Sequence, residues 1–229
     1  MKTGLVLEGG AMRGIYTAGV LDVFLEHGIH FDGVIGVSAG ALHGCSFVSE
    51  QKGRSLRYFK KYRNDKHFMS WWSFLHTGEV VGKQFCYHDI PERLDPFDYE
   101  AFVKSDTDFY ATCTNVETGK AEYIKITDML SQVDAMRASA SMPYVSKIVD
   151  YNGMKLLDGG CADSIPVEAF YKMGHERLVV VLTREAGFVK KPENAKMAEI
   201  RYHKYPEFVQ ALQNRHVVYN HSLEVLKEM

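Results

Sequence analysis

Ser38 sits at the centre of Gly36-Val37-Ser38-Ala39-Gly40, a G-x-S-x-G pentapeptide near the start of a 229-residue chain. A serine hydroxyl is a poor nucleophile until a neighbouring base takes its proton, so the surroundings decide what the motif means. The apolar run Val34–Val37 leads in, and Ala39, Gly40, Ala41 and Leu42 lead out. That order predicts the strand, sharp turn and helix of a nucleophile elbow, where Gly36 and Gly40 admit strained backbone and close strand–helix approach. A tight turn without chemistry is the alternative for any single such pentapeptide. Upstream, Glu8-Gly9-Gly10-Ala11-Met12-Arg13-Gly14 ends the first apolar run and offers backbone N–H donors to an oxyanion. The two segments together point to a serine hydrolase.

A glycine loop between a strand and a helix also cradles phosphates in nucleotide folds. Here Ala11 stands where the dinucleotide fingerprint expects glycine, and no Lys-Ser/Thr pair follows as a Walker loop requires. The base for Ser38 has two sources. His175, His203, His216 and His221 come late enough for a Ser–Asp–His order, yet each reads more simply as a surface or helix polar residue. Asp158 follows Lys155-Leu156-Leu157 and precedes Gly159 and Gly160, which places it at a strand-to-loop edge. An aspartate serves as base when burial raises its pKa or when the serine lies in direct reach. A turn aspartate before two glycines is the structural alternative.

The elements that must carry these residues are legible from hydrophobic period. Thr3–Leu7 reads as a buried strand, and Ile15, Ala18, Leu21 and Leu25 recur at helical spacing until Gly28. Strand, glycine loop, helix, strand and elbow alternate, which favours a mostly parallel sheet with helices on both faces and both loops on one carboxyl edge. Leu56–Arg63 predicts a basic-faced helix, and a short helix follows Asp98. Phe68–Leu75, with Trp71 and Trp72, is aromatic without a clean period: either core filling or a lid facing a lipid interface. Phe109–Thr114 and Ala121–Lys125 predict a hairpin around Thr118-Gly119-Lys120. Met129–Ser139 reads as helix, Pro166 opens another, and Leu178–Leu182 is the last apolar strand. Pro206 starts an amphipathic helix running to Met229 without a stop signal, which suggests a shortened chain or a missing final strand.

Nearly half the residues (46%) are apolar and the formal charge is −2, which speaks against nucleic-acid binding through a basic field and against disorder. Cys45, Cys86, Cys113 and Cys161 are isolated, without C-x-x-C spacing, and read as reduced thiols. Leu5-Val6-Leu7 is too short for a signal-peptide core and no run reaches the roughly 20 apolar residues of a membrane span, so a cytoplasmic location is expected.

The ordered trio of N-terminal glycine loop, elbow and Asp158-Gly159-Gly160 resembles the patatin-like phospholipase family, in its bacterial single-domain branch. Arg137–Pro143, Ala111–Asn115 and Thr118-Gly119 resemble it too, so the likeness covers residues 3–183. The resemblance implies a three-layer α/β/α sandwich, and with no repeat, linker or low-complexity tract the chain reads as one domain over 1–229, its motif-bearing core over 3–183 and its C-terminal helix over 206–229. The resemblance also implies a Ser38–Asp158 dyad without histidine, acting on acyl esters of lipids through an acyl-enzyme, with no metal or cofactor; from the residues themselves, the near-neutral charge predicts no nucleic-acid partner and Trp71 with Trp72 suggests peripheral membrane contact. The loop Gly9, Gly10, Ala11, Met12, Arg13 and Gly14 would hold the oxyanion, each donor worth ~3–4 kcal/mol. Arg13 would orient that loop or meet a lipid phosphate. Ala11 departs from the family's second motif glycine, and if the position needs positive φ, alanine there costs about 1 kcal/mol. The alternatives are an esterase or thioesterase of soluble substrates using the same dyad, and a non-catalytic acyl- or nucleotide-binding protein.

Overall fold

A computed structural model of the chain describes residues 1–194 and 196–229. Its first half contains β1 Lys2–Leu7, α1 Gly14–Glu26, β2 Gly33–Val37, α2 Ala39–Val48, α3 Arg54–Tyr62, α4 Trp71–Thr77 and α5 Tyr99–Lys104. Its second half contains β3 Asp108–Asn115, β4 Ala121–Ile126, α6 Val133–Ser139, β5 Val149–Tyr151, β6 Met154–Asp158, α7 Val167–Lys172, β7 His175–Val181, α8 Lys196–Arg201 and α9 Pro206–Glu228. The seven strands form one mixed sheet whose hydrogen-bonded path is β5-β6-β3-β2-β1-β7, with β4 also on β3. β7, β1, β2 and β3 are mutually parallel, and β4, β5 and β6 join antiparallel.

The parallel core follows from the apolar runs. All five residues of β2 and the last four of β1 are buried, as strands covered on both faces require. Alternation then sorts the faces. Leu5 and Leu7 pack with Leu21, Val34, Ala41 and Phe47 on the face of α1 and α2. Val6 and Ile35 pack with Phe170 and Tyr219 on the face of α7 and α9. The layered α/β architecture expected from the strand–helix alternation is therefore present.

Register along β3 decides where the site can form. Phe109 to Thr112 pair with β2 and β4 at once, whereas Cys113 and Thr114 pair with β4 and β6 at once. A strand has two edges, so β2 and β6 lie end to end along one edge of β3. β2 runs parallel to β3 and β6 antiparallel, so their carboxyl ends converge: Val37 pairs Thr112, and Asp158 pairs Cys113. Ser38 follows Val37 directly, so the register brings positions 38 and 158 together.

Two expected elements differ. The helix read from Met129 begins only at Val133, because the Asp128 carboxylate draws the N–H groups of Leu130 and Ser131 into a turn. The Phe68–Leu75 cluster divides. Phe68 is buried against Tyr62 and Ile90, while Trp71 and Leu75 stand 71% and 80% exposed on α4, four residues apart on one helical face. Neither half alone describes the segment.

Candidate active site

Ser38 links β2 to α2 in a conformation with φ 54° and ψ −121°, a backbone region that non-glycine residues avoid at a cost of about 1–3 kcal/mol. Its surroundings hold it there. The Ser139 hydroxyl accepts from the Ser38 N–H at 3.0 Å and donates to Thr112 O at 2.7 Å. Gly40 sits so close to β1 that a Cβ would lie 2.5 Å from Leu7 O. Only glycine allows α2 to start this near the sheet.

Asp158 ends β6 on the other side of the same junction. Its N–H donates to Ser141 O at 2.9 Å, so Ser139 at the end of α6 and Ser141 just after it tie down Ser38 and Asp158 respectively. A Cβ at Gly159 would lie 2.2 Å from Thr112 O, which leaves glycine as the residue that can follow Asp158 against β3. The Gly160 N–H donates to the Asp158 carboxylate at 2.8 Å. Burial raises the Asp158 pKa above its ordinary value; the Ser38 hydroxyl, the Gly160 N–H and the Arg215 charge each pull against that rise. The result is a buried carboxylate, facing the serine hydroxyl, with raised proton affinity.

The glycine loop closes the third side. Gly9 abuts Ser38, whose Cβ would lie 3.3 Å from a Cβ built on the glycine. Ala11 takes φ +47°, the left-handed conformation that the motif glycine would supply. The Gly10 and Ala11 N–H groups donate to no backbone carbonyl or side-chain acceptor among the described residues, while Arg13 N–H closes the turn onto Gly10 O at 2.9 Å. Behind the loop, buried Glu8 accepts from the Thr183 N–H and from the Tyr219 hydroxyl, the latter at 2.9 Å.

An apolar cavity of about 150 Å³ opens beside Ser38, Ala11 and Met12 and runs along α2 past Ala39, Leu42 and Cys45. Phe59, Phe68, Ile90, Phe97 and Met136 form much of its wall, and the buried Arg54 guanidinium lies at its lining. Arg54 bonds Ser46 Oγ at 3.3 Å and Asp95 O at 2.8 Å.

Three of the four late histidines pair elsewhere. His203 and His216 cap the carbonyls of Ile200 and Gln213 at 3.1 and 3.0 Å, and His221 approaches Glu168 at 3.5 Å. His175 is not the surface residue the sequence suggests: it begins β7, is 1% exposed and stacks on Phe170 at 3.9 Å. The histidine that does share the cavity with Ser38 is His43, five residues on along α2. Its Nδ1 has no partner, and burial lowers its pKa to about 4, so the ring is neutral near pH 7. His43, Ser139 and Arg215 were not singled out by role from the sequence. His43 carried a signal, since i+5 from the elbow serine keeps it near the first turn of the same helix. Arg215, on a remote helix, carried none.

Among the described residues no group of three His, Cys, Asp or Glu side chains could hold a metal ion, and no helix is long and apolar enough to cross a membrane. The four cysteines are free thiols.

Known proteins are similar to this chain in sequence. The family model for patatin-like phospholipase matches residues 5–171. YjjU of Escherichia coli K12, an uncharacterized protein, is 29% identical over 187 residues, 80% of this chain and 52% of its own length. A lysophospholipase, NTE1, of Debaryomyces hansenii is 28% identical over 79% of the chain and 12% of its own length. The neuropathy target esterase sws of Drosophila melanogaster is 28% identical over 78% and 12%. The chain thus spans about half of the bacterial relative and about an eighth of the two eukaryotic ones. With the glycine loop, the elbow and the aspartate of β6 all inside the matched region, the chain belongs to the patatin-like phospholipase family.

Proposed function

We propose that the chain hydrolyses carboxylic acyl esters of lipids through Ser38 and Asp158, by way of an acyl-enzyme. One observation carries this: along a single edge of β3, the strained Ser38 and the buried Asp158 meet, the hydroxyl facing a carboxylate of raised proton affinity. Ser38 Oγ attacks the acyl carbon while Asp158 takes its proton. The N–H groups of Gly10 and Ala11 hold the developing oxyanion, a role suited to donors with no protein acceptor. Collapse of the tetrahedral intermediate expels the alcohol, which leaves with the proton from Asp158. Water then attacks the acyl-Ser38 ester, gives a proton to Asp158 and releases the carboxylic acid, and the proton returns to Ser38 Oγ. The names of the two eukaryotic relatives, a lysophospholipase and an esterase, agree with this substrate class.

The cavity suits the acyl chain. It follows α2 from Ser38 until Arg54 bonds Ser46, a run of eight residues and about 12 Å at the helical rise. An extended chain advances about 1.2 Å per bond, so about ten carbons lie straight before the guanidinium. Access from a lipid surface falls to α4. It stands between Met69 and Val81, which pair with each other and line the cavity, and it turns Trp71 and Leu75 outward. Such exposed apolar side chains favour peripheral membrane contact.

Hydrolysis of p-nitrophenyl esters from acetyl to palmitoyl, with Ser38→Ala beside the native chain, tests the reading. Activity should peak near octanoyl to decanoyl and vanish in Ser38→Ala, and a fluorophosphonate should phosphonylate Ser38, adding the reagent's mass less HF. Undiminished turnover in Ser38→Ala would exclude the nucleophile and with it the mechanism.

A further inference from the structure

The segment after β7 and the face of α9 gather cations next to the glycine loop and Asp158, on the other side of the sheet from the acyl cavity. Thr183 packs against Gly10, where a Cβ would meet its hydroxyl at 2.7 Å. The next residue, Arg184, lies over the Phe188 ring at 4.3 Å, and that ring meets Tyr219 edge-on at 5.8 Å. Lys190 Nζ is 5.8 Å from the same Tyr219 ring. The Lys190 backbone is clamped at both ends by one side chain: its N–H donates to Asn220 Oδ1 at 2.8 Å, and its carbonyl accepts from Asn220 Nδ2 at 2.9 Å. Five residues back on α9, Arg215 donates to Gly160 O at 2.5 Å, two residues beyond Asp158.

Two of these cations, Lys190 and Arg215, share one carboxylate. Glu193 lies 3.2 Å from Lys190 and 3.6 Å from Arg215, and Arg184 has no ion pair among the described residues. Lys190 is only 16% exposed, and its pKa is held below the usual lysine range by burial and then by the Arg215 and Arg184 charges, with Glu193 opposing. Arg184 and Arg13 both act on the Tyr219 hydroxyl, which brings a fourth cation near, and the same hydroxyl donates to the buried Glu8 carboxylate at 2.9 Å, a second anion at the cluster. Mutually repelling cations, one with its backbone fixed in place and partly withdrawn from water, form a site whose charge an anion would neutralise.

We propose that Arg184, Lys190 and Arg215 form an anion subsite for a phosphate on the alcohol side of the ester substrate. Resting on the hydrolase reading above, it divides the substrate at Ser38: acyl chain along α2, phosphate against β7 and α9. The planar guanidinium of Arg184 offers a paired donor fork and Lys190 a point charge, a combination suited to a phosphate group. A neutral acylglycerol leaves the cluster's excess charge unmatched.

The test compares lysophosphatidic acid with monoacylglycerol carrying the same decanoyl chain, in the native chain and in Lys190→Gln and Arg184→Gln. The ratio of kcat/KM, phosphate-bearing over neutral, should fall about tenfold in each variant, the scale of one charge-assisted contact. A ratio steady within about twofold overturns the subsite. A second arm needs no turnover: in Ser38→Ala, glycerol 3-phosphate should raise Tm, and Lys190→Gln added to it should abolish the rise. Inorganic phosphate raising Tm as strongly, with no preference between the two lipids, would make this a free-anion site and overturn the lipid assignment. If no ester is hydrolysed but glycerol 3-phosphate still binds through Lys190, the hydrolase reading fails and the anion site stands.

Discussion

Asp158 is a base only when charged, and burial works against that charge. Its pKa lies above the ordinary 3.8, so kcat/KM should rise with pH through a step above that value and then level. Asp158→Asn keeps the acceptor for the Gly160 N–H and removes the base, and turnover should fall at least about a hundredfold. The sign for stability is opposite to that of a salt-bridged carboxylate. A raised folded pKa gives stability that is complete below 3.8 and lost as pH rises through the folded value. At neutral pH, thermal unfolding should therefore find Asp158→Asn as stable as the native chain or more so. A variant both inactive and several degrees less stable would mean that Asp158 serves the fold. Ala11 is the other residue-scale test. Positive φ costs alanine about 1 kcal/mol, and glycine regains it while losing about 0.4–1 kcal/mol through the unfolded chain. Ala11→Gly should leave Tm within a few degrees and kcat within about twofold, because the loop already holds the required conformation. A several-fold gain in kcat would show that the alanine strains the oxyanion loop.

At the scale of elements, α4 is separable from the core that surrounds it. Phe68 belongs to that core, and Trp72 stacks on His76 at 4.1 Å and lies beneath Lys66. Trp71 and Leu75 face outward. Trp71→Ser with Leu75→Ser should leave Tm nearly unchanged, lower hydrolysis of lipid in vesicles several-fold and spare short soluble esters. An equal loss on both substrates, with a lower Tm, would assign α4 to packing. The strand–helix alternation and the hairpin of β3 and β4 were legible in sequence because hydrophobic period and turn residues are local signals. The split of Phe68–Leu75 was not. Which aromatic faces inward depends on α3 and the Phe85–Leu94 segment, elements whose own positions the local sequence leaves open.

At the scale of the whole molecule, two histidines among the described residues, His43 and His175, are buried, and both resist protonation. Burial lowers His43 to about 4 and also lowers His175, whose ring nitrogens have no partner. Below pH 6.5 the unfolded chain takes up protons that the folded chain refuses. The His43 contribution is complete above 6.5 and lost as pH falls toward about 4, at a cost of roughly 3 kcal/mol. Urea unfolding at a series of pH values should show that decline, and His43→Met should flatten part of it. A pH dependence identical in His43→Met would mean that the imidazole titrates alike in the folded and unfolded chain.

The sequence by itself determined the local geometry of the chemistry. A serine between glycines after an apolar run sets the elbow, and glycines after β1 and β6 mark where backbone must approach backbone, because these are demands on one turn and its neighbours. Tertiary structure decided which of these turns meet. Asp158 stands beside Ser38 because β2 and β6 share an edge of β3 in registers that end at Thr112 and Cys113. That pairing joins segments 120 residues apart and is set by long-range hydrogen bonding and burial, not by any local pattern. The same holds for the positive φ of Ala11, the burial of His43 and His175 and the gathering of Arg184, Lys190 and Arg215. Each is a property of a neighbourhood that exists only once the strands have paired and α9 has closed over them.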